Sequence, residues 1–357
     1  MRPIGILGTG SYLPHRVVSN DEIAAGAGVT DEWIVRKTGI RERRRAGDHE
    51  ATSDLAAVAA RRALDQAGVA PDQLAYVVVA TSTPDQPQPA TASFVQHAIG
   101  AVNAAAFDVN AVCSGFVYAL SVTESMLRAQ AGTERYERYG LVIGADIYSR
   151  ILDYSDRRTA ILFGDGAGAV VLGATRASQG LLATRLLTRG DQHQLIGVAA
   201  GGSRMPATAG TIENGAHFFR MDGRGVRGFV AENLPALVRE LLDDAGVRPE
   251  EVRHFVPHQA NAVMLDEVWP ELGLVNATQH LTVDRYGNTG SASVAVTLDA
   301  IHTAGELAEG DMVLMAAFGG GMAIGASLTR WSRTRHARPP GALAGTAHEE
   351  ARQAVPA

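Results

Sequence analysis

Cysteine and lysine are nearly missing from this chain of 357 residues, with one of each, Cys113 and Lys37. A single cysteine excludes an internal disulfide and any thiolate-caged metal site. With Lys37 alone, arginine carries the remaining positive charge, a skew that fits a GC-rich genome better than a demand of the fold. Blocks of one sign are missing too. There are 32 basic and 38 acidic residues, net −6, and no basic cluster in the body of the chain marks a nucleic-acid surface. No apolar run reaches the ~18 residues a membrane span needs. The opening Met1-Arg2-Pro3-Ile4-Gly5 enters a strand-like run at once, without the pattern of a secretion signal. The expectation is a cytoplasmic protein that binds neither membrane nor nucleic acid.

What the chain has is apolar bulk. Hydrophobic residues are 46% and charged residues 20%, enough for a sizeable core and too apolar for disorder or a small disulfide scaffold. At ~150 residues per domain the length predicts two domains or one duplicated one. Short β-branched runs alternate with longer amphipathic stretches. The pattern predicts a helix over 52–67 stopped by Gly68, and a buried strand over 74–80. A helix over 114–130 and strands over 141–145 and 167–172 follow. Beyond about residue 175 the order returns: a helix over 226–245 stopped by Gly246, a strand over 252–256, a helix over 291–302 and a strand over 312–317. The phrase Asp65-Gln66-Ala67-Gly68-Val69-Ala70-Pro71 recurs as Asp244-Ala245-Gly246-Val247-Arg248-Pro249. A spacing of about 180 residues suits a duplicated α/β half, though a chance recurrence of helix-stop chemistry fits the phrase as well. This divides the chain into halves 1–175 and 176–332. Residues 333–357, rich in Arg, Pro, Ala and Gly, read as a disordered tail.

Three residues could do chemistry together. Cys113 follows the apolar approach Phe107-Asp108-Val109 and precedes a helical stretch, so its sulfur stands at a strand-to-helix turn. There the helix dipole favours thiolate and is expected to lower the thiol pKa, and free N–H groups can receive an oxyanion. A lone cysteine among apolar residues also fits inert packing. His258 cannot share a metal with His254, because Pro257 forbids a helix and four residues of strand span ~13 Å. It ends a strand where ligands commonly meet an α/β sheet, or is simply a hydrogen-bonded structural histidine. Asn288 lies in Tyr286-Gly287-Asn288-Thr289-Gly290 before another helix, where asparagine is ordinarily a turn former or N-cap. A nucleophile facing two hydrogen-bond donors is what thioester chemistry needs. Phe318-Gly319-Gly320-Gly321 after a buried strand fits either a plain turn or a backbone brought close to a reacting centre. Gly8-Thr9-Gly10 imitates a dinucleotide fingerprint, but Leu13-Pro14 stands where its helix should begin.

These residues, with the phrases Gly8-Thr9-Gly10-Ser11-Tyr12-Leu13-Pro14, Asp31-Glu32-Trp33-Ile34-Val35, Thr38-Gly39-Ile40-Arg41-Glu42-Arg43, Phe163-Gly164-Asp165-Gly166-Ala167-Gly168 and Val256-Pro257-His258-Gln259-Ala260-Asn261, resemble the ketoacyl-ACP synthase III family of the thiolase-like fold. The resemblance covers about residues 4–330. It implies an α/β, thiolase-like duplicated fold of five layers, α-β-α-β-α, and a homodimer. It implies that Cys113 is acylated by an acyl-CoA, with the oxyanion held by the N–H groups of Cys113 and Gly320. His258 and Asn288 then stabilise the enolate of a malonyl thioester as CO₂ leaves. Trp33 and Arg157 match the pair around the CoA adenine, Asn261 a residue beside the pantetheine arm, and Lys37, Ala260, Gln88 and Phe318 further substrate-binding positions. No metal or cofactor is implied beyond the CoA thioesters that serve as substrates.

The departures concern docking. Val263, Gly228, Pro270 and Glu271 stand where carrier-protein-binding members carry basic residues, and Asp266 and Glu267 add negative charge. Such a face repels an acidic acyl carrier protein, unless Arg224, Arg227 and Arg253 compensate. Gln88 replaces a bulky aromatic of the pocket wall, and Lys37 a usual arginine. A condensing enzyme priming a polyketide or other specialised metabolite is the first expectation. An acyltransferase of the same fold acting on a hydroxyl or amine is the alternative, and a non-catalytic scaffold is the third.

Overall fold

A computed structural model describes residues 3–130 and 139–332; the tail expected at 333–357 lies outside the described residues. The first part of the chain runs β1 (Ile4–Tyr12), β2 (Arg16–Ser19), α1 (Asn20–Ala27), α2 (Asp31–Thr38), β3 (Glu42–Arg45) and α3 (Thr52–Ala67). It continues through β4 (Leu74–Ala80), α4 (Thr91–Ile99), β5 (Ala105–Val109), α5 (Gly115–Ala129), β6 (Tyr139–Asp146) and β7 (Gly166–Ala174). The second part runs β8 (Gly180–Thr188), β9 (Ile196–Val198), α6 (Ala209–Glu213), β10 (Phe219–Met221), α7 (Gly223–Ala245) and β11 (Val252–Pro257). Then come α8 (Ala262–Val268), β12 (Thr278–Gln279), α9 (Val283–Tyr286), α10 (Ser293–Thr303), β13 (Met312–Gly319) and β14 (Ala323–Arg330).

Two five-stranded mixed sheets carry the fold, ordered β1-β7-β6-β4-β5 and β8-β14-β13-β11-β12. In each, the last three strands are parallel and the first two pairings antiparallel. The continuous apolar runs of β4, β6, β11 and β13 suit strands covered on both faces. Helices α3 and α4 bury Leu55, Ala59 and Val95 against the outer face of the first sheet. Helix α7 buries Phe229, Leu237 and Leu241 against the outer face of the second. Between the sheets, α5 and α10 bring Phe116, Leu120, Val294 and Leu298 together with Val78, Val142, Val313 and Met315. The result is the five-layer α-β-α-β-α stack. Close approach of the layers needs bare backbone: a Cβ on Gly144 of β6 would collide with the Ser291 carbonyl just before α10.

The recurring phrase makes the same structure twice. Gly68 and Gly246 end α3 and α7 at φ 65° and 62°, a left-handed stop that favours glycine. Each is followed by a single 3₁₀ turn begun by proline, Pro71 or Pro249, and then by β4 or β11. Helix α7 starts three residues before the sequence predicts, because the Asp222 carboxylate caps it by accepting from the N–H groups of Arg224 and Gly225. Helix α10 starts two residues later than expected, since 290–292 form a 3₁₀ turn. Gly8 and Gly10 lie inside β1, so no dinucleotide loop exists there. A smaller cluster, Ile34, Ile40, Tyr148, Phe163 and Phe219, joins α2 to the loops at the strand ends. Among the described residues no helix is long and apolar enough to cross a membrane.

Candidate active site

Cys113 sits in a 3₁₀ turn, Val112–Ser114, that links β5 to α5. The preceding Val112 has φ 48°, a left-handed conformation that is costly for a β-branched side chain. The end of β13 presses on this turn: a Cβ on Gly319 would lie 2.6 Å from the Cys113 nitrogen, so only glycine lets the backbone come so close. Gly320 follows, against Val112 and Ile196. Cys113 is 5% exposed. Burial pushes its thiol up to about 12, helped by the nearby Asp146 charge, while the Tyr148 hydroxyl and the Cys113 N–H act the other way. The depression expected from the helix terminus is therefore overturned, because desolvation of the thiolate outweighs it.

His258 follows β11 and is 1% exposed. Its Nδ1 lies 2.6 Å from the Ser293 Oγ, and Ser293 Oγ accepts from the Gln259 N–H at 3.3 Å. Ser293 Oγ meets no other acceptor among the described residues, so donating its proton to Nδ1 satisfies both groups, an arrangement that keeps the imidazole proton on Nε2. Burial holds the ring neutral, lowering its pKa to about 3. Asn288 is fixed at both ends of its backbone, donating to the Leu162 carbonyl and accepting from the Gly164 N–H. Its Oδ1 accepts from the Gly290 N–H at 2.9 Å, so the orientation of the amide leaves Nδ2 as a donor. Shared neighbours join the three side chains. The Phe318 ring meets His258 edge-on at 5.1 Å and leads straight into Gly319 at Cys113. Phe163, bridged to Asn288, stacks on Tyr148 at 4.4 Å, and the Tyr148 hydroxyl lies 3.9 Å from Cys113 Sγ.

A cavity of about 600 Å³ opens beside this centre, its wall including Trp33, Lys37, Arg157, Ala260, Asn261 and Asn288. Cys113, His258 and Phe318 are buried and do not themselves line it. Thr30 caps α2 by accepting from the Trp33 N–H, and one turn later the same helix brings Lys37 to the cavity. The Arg157 guanidinium lies 5.9 Å from the Trp33 ring, two flat surfaces at the mouth. Asn261 caps α8 through the Met264 N–H and donates to the Lys37 carbonyl at 3.2 Å, tying α8 to α2. Lys37, Arg157 and Arg224 have no carboxylate within 4 Å among the described residues, whereas Arg158 and Arg227 are paired with Asp156 and Glu267. Gln88 is exposed on the loop before α4 and takes no part in the cavity wall of its own chain; that loop is instead tied to the start of α3, where the Ser53 N–H and hydroxyl donate to Asp85.

The sequence matches the family described as 3-oxoacyl-[acyl-carrier-protein (ACP)] synthase III over residues 107–190, and its C-terminal counterpart over residues 242–331. Acetoacetyl CoA synthase NphT7 of Streptomyces sp. (strain CL190) is 56% identical over 328 residues, 91% of this chain and 98% of that protein. The chain belongs to the 3-oxoacyl-[acyl-carrier-protein] synthase III family. Among solved relatives, the synthase III of Aquifex aeolicus VF5 superposes with a TM-score of 0.82 at 36% identity, over 92% of this chain and 100% of that one. The priming β-ketosynthase of the R1128 polyketide pathway gives 0.84 at 32% identity, over 93% and 97%. As a synthase III, the protein is an acyl-transferring condensing enzyme.

Within this synthase III the residues that depart from a basic docking face are visible as a surface. Val263 and Met264 line the cavity, and Glu267 and Glu271 border a small neighbouring recess with Arg227. Nothing lies within 4 Å of a Cβ placed on Gly228. Sequence reasoning missed Tyr148, Ser82, Asp146 and Ser293, all buried or half-buried around the reacting residues. One signal was available: Asp146 ends the apolar run of β6, and a carboxylate there demands buried partners.

Proposed function

We propose that the protein takes an acyl group from an acyl-CoA onto Cys113 and condenses it with a malonyl thioester. His258 Nε2 and Asn288 Nδ2 donate to the malonyl thioester carbonyl, and the enolate formed as CO₂ leaves attacks the acyl-cysteine. The N–H groups of Cys113 and Gly320 receive the oxyanion. The observation that carries this reading is the pair of locked donors. Ser293 Oγ holds His258 Nδ1 and turns Nε2 toward the site, the Gly290 N–H orients the Asn288 amide, and burial keeps the imidazole neutral. Two preorganised neutral donors favour an enolate, which an ester-forming acyltransferase would not need. The reaction calls for no metal or redox cofactor.

The unpaired cations Lys37, Arg157 and Arg224 suit the phosphates of CoA at the cavity mouth, with its adenine between Trp33 and Arg157. The extender is malonyl-CoA rather than malonyl carrier protein. Glu267 engages Arg227, and Glu271 stands beside them, so the recess next to the cavity offers an acidic carrier no free cation. The 56%-identical relative, named an acetoacetyl CoA synthase, supports acetyl as the primer and acetoacetyl-CoA as the product. The product would feed a polyketide or other specialised pathway. The half-exposed edge strand β5, with Phe94 and Val102 exposed nearby, supports a homodimer formed along that edge.

Intact-mass measurement after incubation with a panel of acyl-CoAs tests the loading step. An acetyl adduct on Cys113 is expected, followed by CO₂ and a β-ketoacyl-CoA when malonyl-CoA is added. An ester or amide formed without CO₂ would instead identify an acyltransferase, and turnover only with malonyl carrier protein would overturn the extender assignment.

A further inference from the structure

One side chain touching the nucleophile has no part in the reaction as described. The Tyr148 hydroxyl is 3.9 Å from Cys113 Sγ and 2.8 Å from Ser82 Oγ, and Ser82 Oγ is 3.1 Å from Asp146 Oδ1. The phenol is 1% exposed and clamped, stacked on Phe163 and edge-on to Phe219 at 5.4 Å. Asp146 does not depend on Ser82 Oγ. Its Oδ1 also accepts from the Ser82 and Thr83 N–H groups and the Thr81 and Thr83 hydroxyls, and its Oδ2 from the N–H and hydroxyl of Ser291.

The row Asp146–Ser82–Tyr148–Cys113 therefore has two satisfied arrangements. With a neutral thiol, S–H donates to Tyr148, Tyr148 to Ser82, and Ser82 to Asp146. With a thiolate, Ser82 turns to donate to Tyr148, and Tyr148 donates to sulfur. We propose that Tyr148 is a catalytic hydrogen-bond donor to the Cys113 sulfur, its hydroxyl proton turning to Sγ whenever sulfur carries negative charge. The proposal rests on Cys113 being the acylated nucleophile. Sulfur is charged twice in a cycle. In loading, Sγ bonds to the acyl carbon, the acyl–S bond to CoA breaks, and the cysteine proton ends on the CoA sulfur. In condensation, the enolate carbon bonds to the acyl carbon and the acyl–Sγ bond breaks. Sγ leaves with the electron pair and then takes a proton from solvent.

The surroundings make such a donor necessary. Asp146 and Tyr148 face the thiol from β6 and the turn after it, and His258, at the end of β11, is neutral. Strand β13 and residues 290–292 bring no ionisable side chain to the turn. Arg330 of β14 pairs with Met312, at the far end of its strand from Gly319. On α5, Glu124 and Arg128 are paired with each other about three turns or more along the helix. Among the described residues no cation stands by the sulfur, so thiolate stabilisation falls to dipoles.

The pH dependence of Cys113 alkylation by iodoacetamide, followed by intact mass on the full chain, tests this without requiring condensation. Tyr148→Phe keeps the ring and its stacking. It is expected to displace the log-rate line about one pH unit upward, a ~10-fold slower reaction at fixed pH. Acetyl-CoA loading is expected to slow by a similar factor. Ser82→Ala is expected to displace the line the same way by less, and it decides the matter if Tyr148→Phe does not fold. An undisplaced line in a folded Tyr148→Phe, or in Ser82→Ala if that variant decides, overturns the assignment, as does a faster reaction. If the wild type alkylates at Cys113 yet accepts no acyl group from any CoA thioester, the functional reading fails while the Tyr148 displacement is still read.

Discussion

Laid over each other, β1-β7-β6-β4-β5 and β8-β14-β13-β11-β12 correspond strand for strand, and α3 and α5 find counterparts in α7 and α10. The ends of corresponding strands carry different chemistry. After β4 stand Thr81 and Ser82; after β11, His258. At and after the end of β6 come Asp146 and Tyr148; at and after the end of β13, the bare backbone of Gly319 and Gly320. The turn into α5 holds Cys113, and the turns before α10 hold Asn288. One half thus supplies a nucleophile with hydroxyl and carboxylate support, the other an imidazole, a carboxamide and an open backbone. The topology delivers six strand ends to one place, and the residue type at each end decides which acts.

Four variants would break or sharpen that division. Cys113→Ala removes the thiol that the first half supplies and is expected to abolish the acyl adduct in intact-mass spectra. His258→Ala and Asn288→Ala each remove one donor of the second half. Each is expected to lower kcat for condensation by ~10²–10³-fold, with acyl loading affected less. Equal loss of both steps would erase the division of labour. At the cavity mouth, Arg157→Ala is expected to raise KM for acyl-CoA by roughly fivefold with little change in kcat, because it removes binding common to ground and transition states.

A separate effect is on stability. His258 has a folded pKa depressed to about 3 by burial, so between pH 3 and ~6.5 the unfolded chain binds the extra proton. Stability from this group is complete above ~6.5 and declines as the pH falls toward 3. His258→Gln is expected to flatten the fall of Tm with acidification across that window, as read by thermal melts of both proteins.

Much of this arrangement is legible in the sequence where the chemistry is local. Gly68 and Gly246 announce their helix ends, and the β-branched runs announce β4, β6, β11 and β13. The turn residues around Cys113 and Asn288 announce strand-to-helix junctions. Burial is not local, which is why a thiol expected to be acidified by its helix proves to be desolvated instead. Gln88 stands outside the cavity wall of its own chain, and the path of its loop is not written in the residues beside it. Tyr148 is not legible as a site residue because nothing beside it in the sequence points to a sulfur 35 residues earlier; the fold alone makes them neighbours.

The solitary lysine has a practical consequence. Because Lys37 stands in the cavity wall and every other cationic side chain is arginine or histidine, an amine-directed fluorophore has one side-chain target besides the chain terminus. A dye attached there would sit where the nucleotide end of a thioester arrives, turning the scarcity of ε-amines into a built-in optical reporter of occupancy.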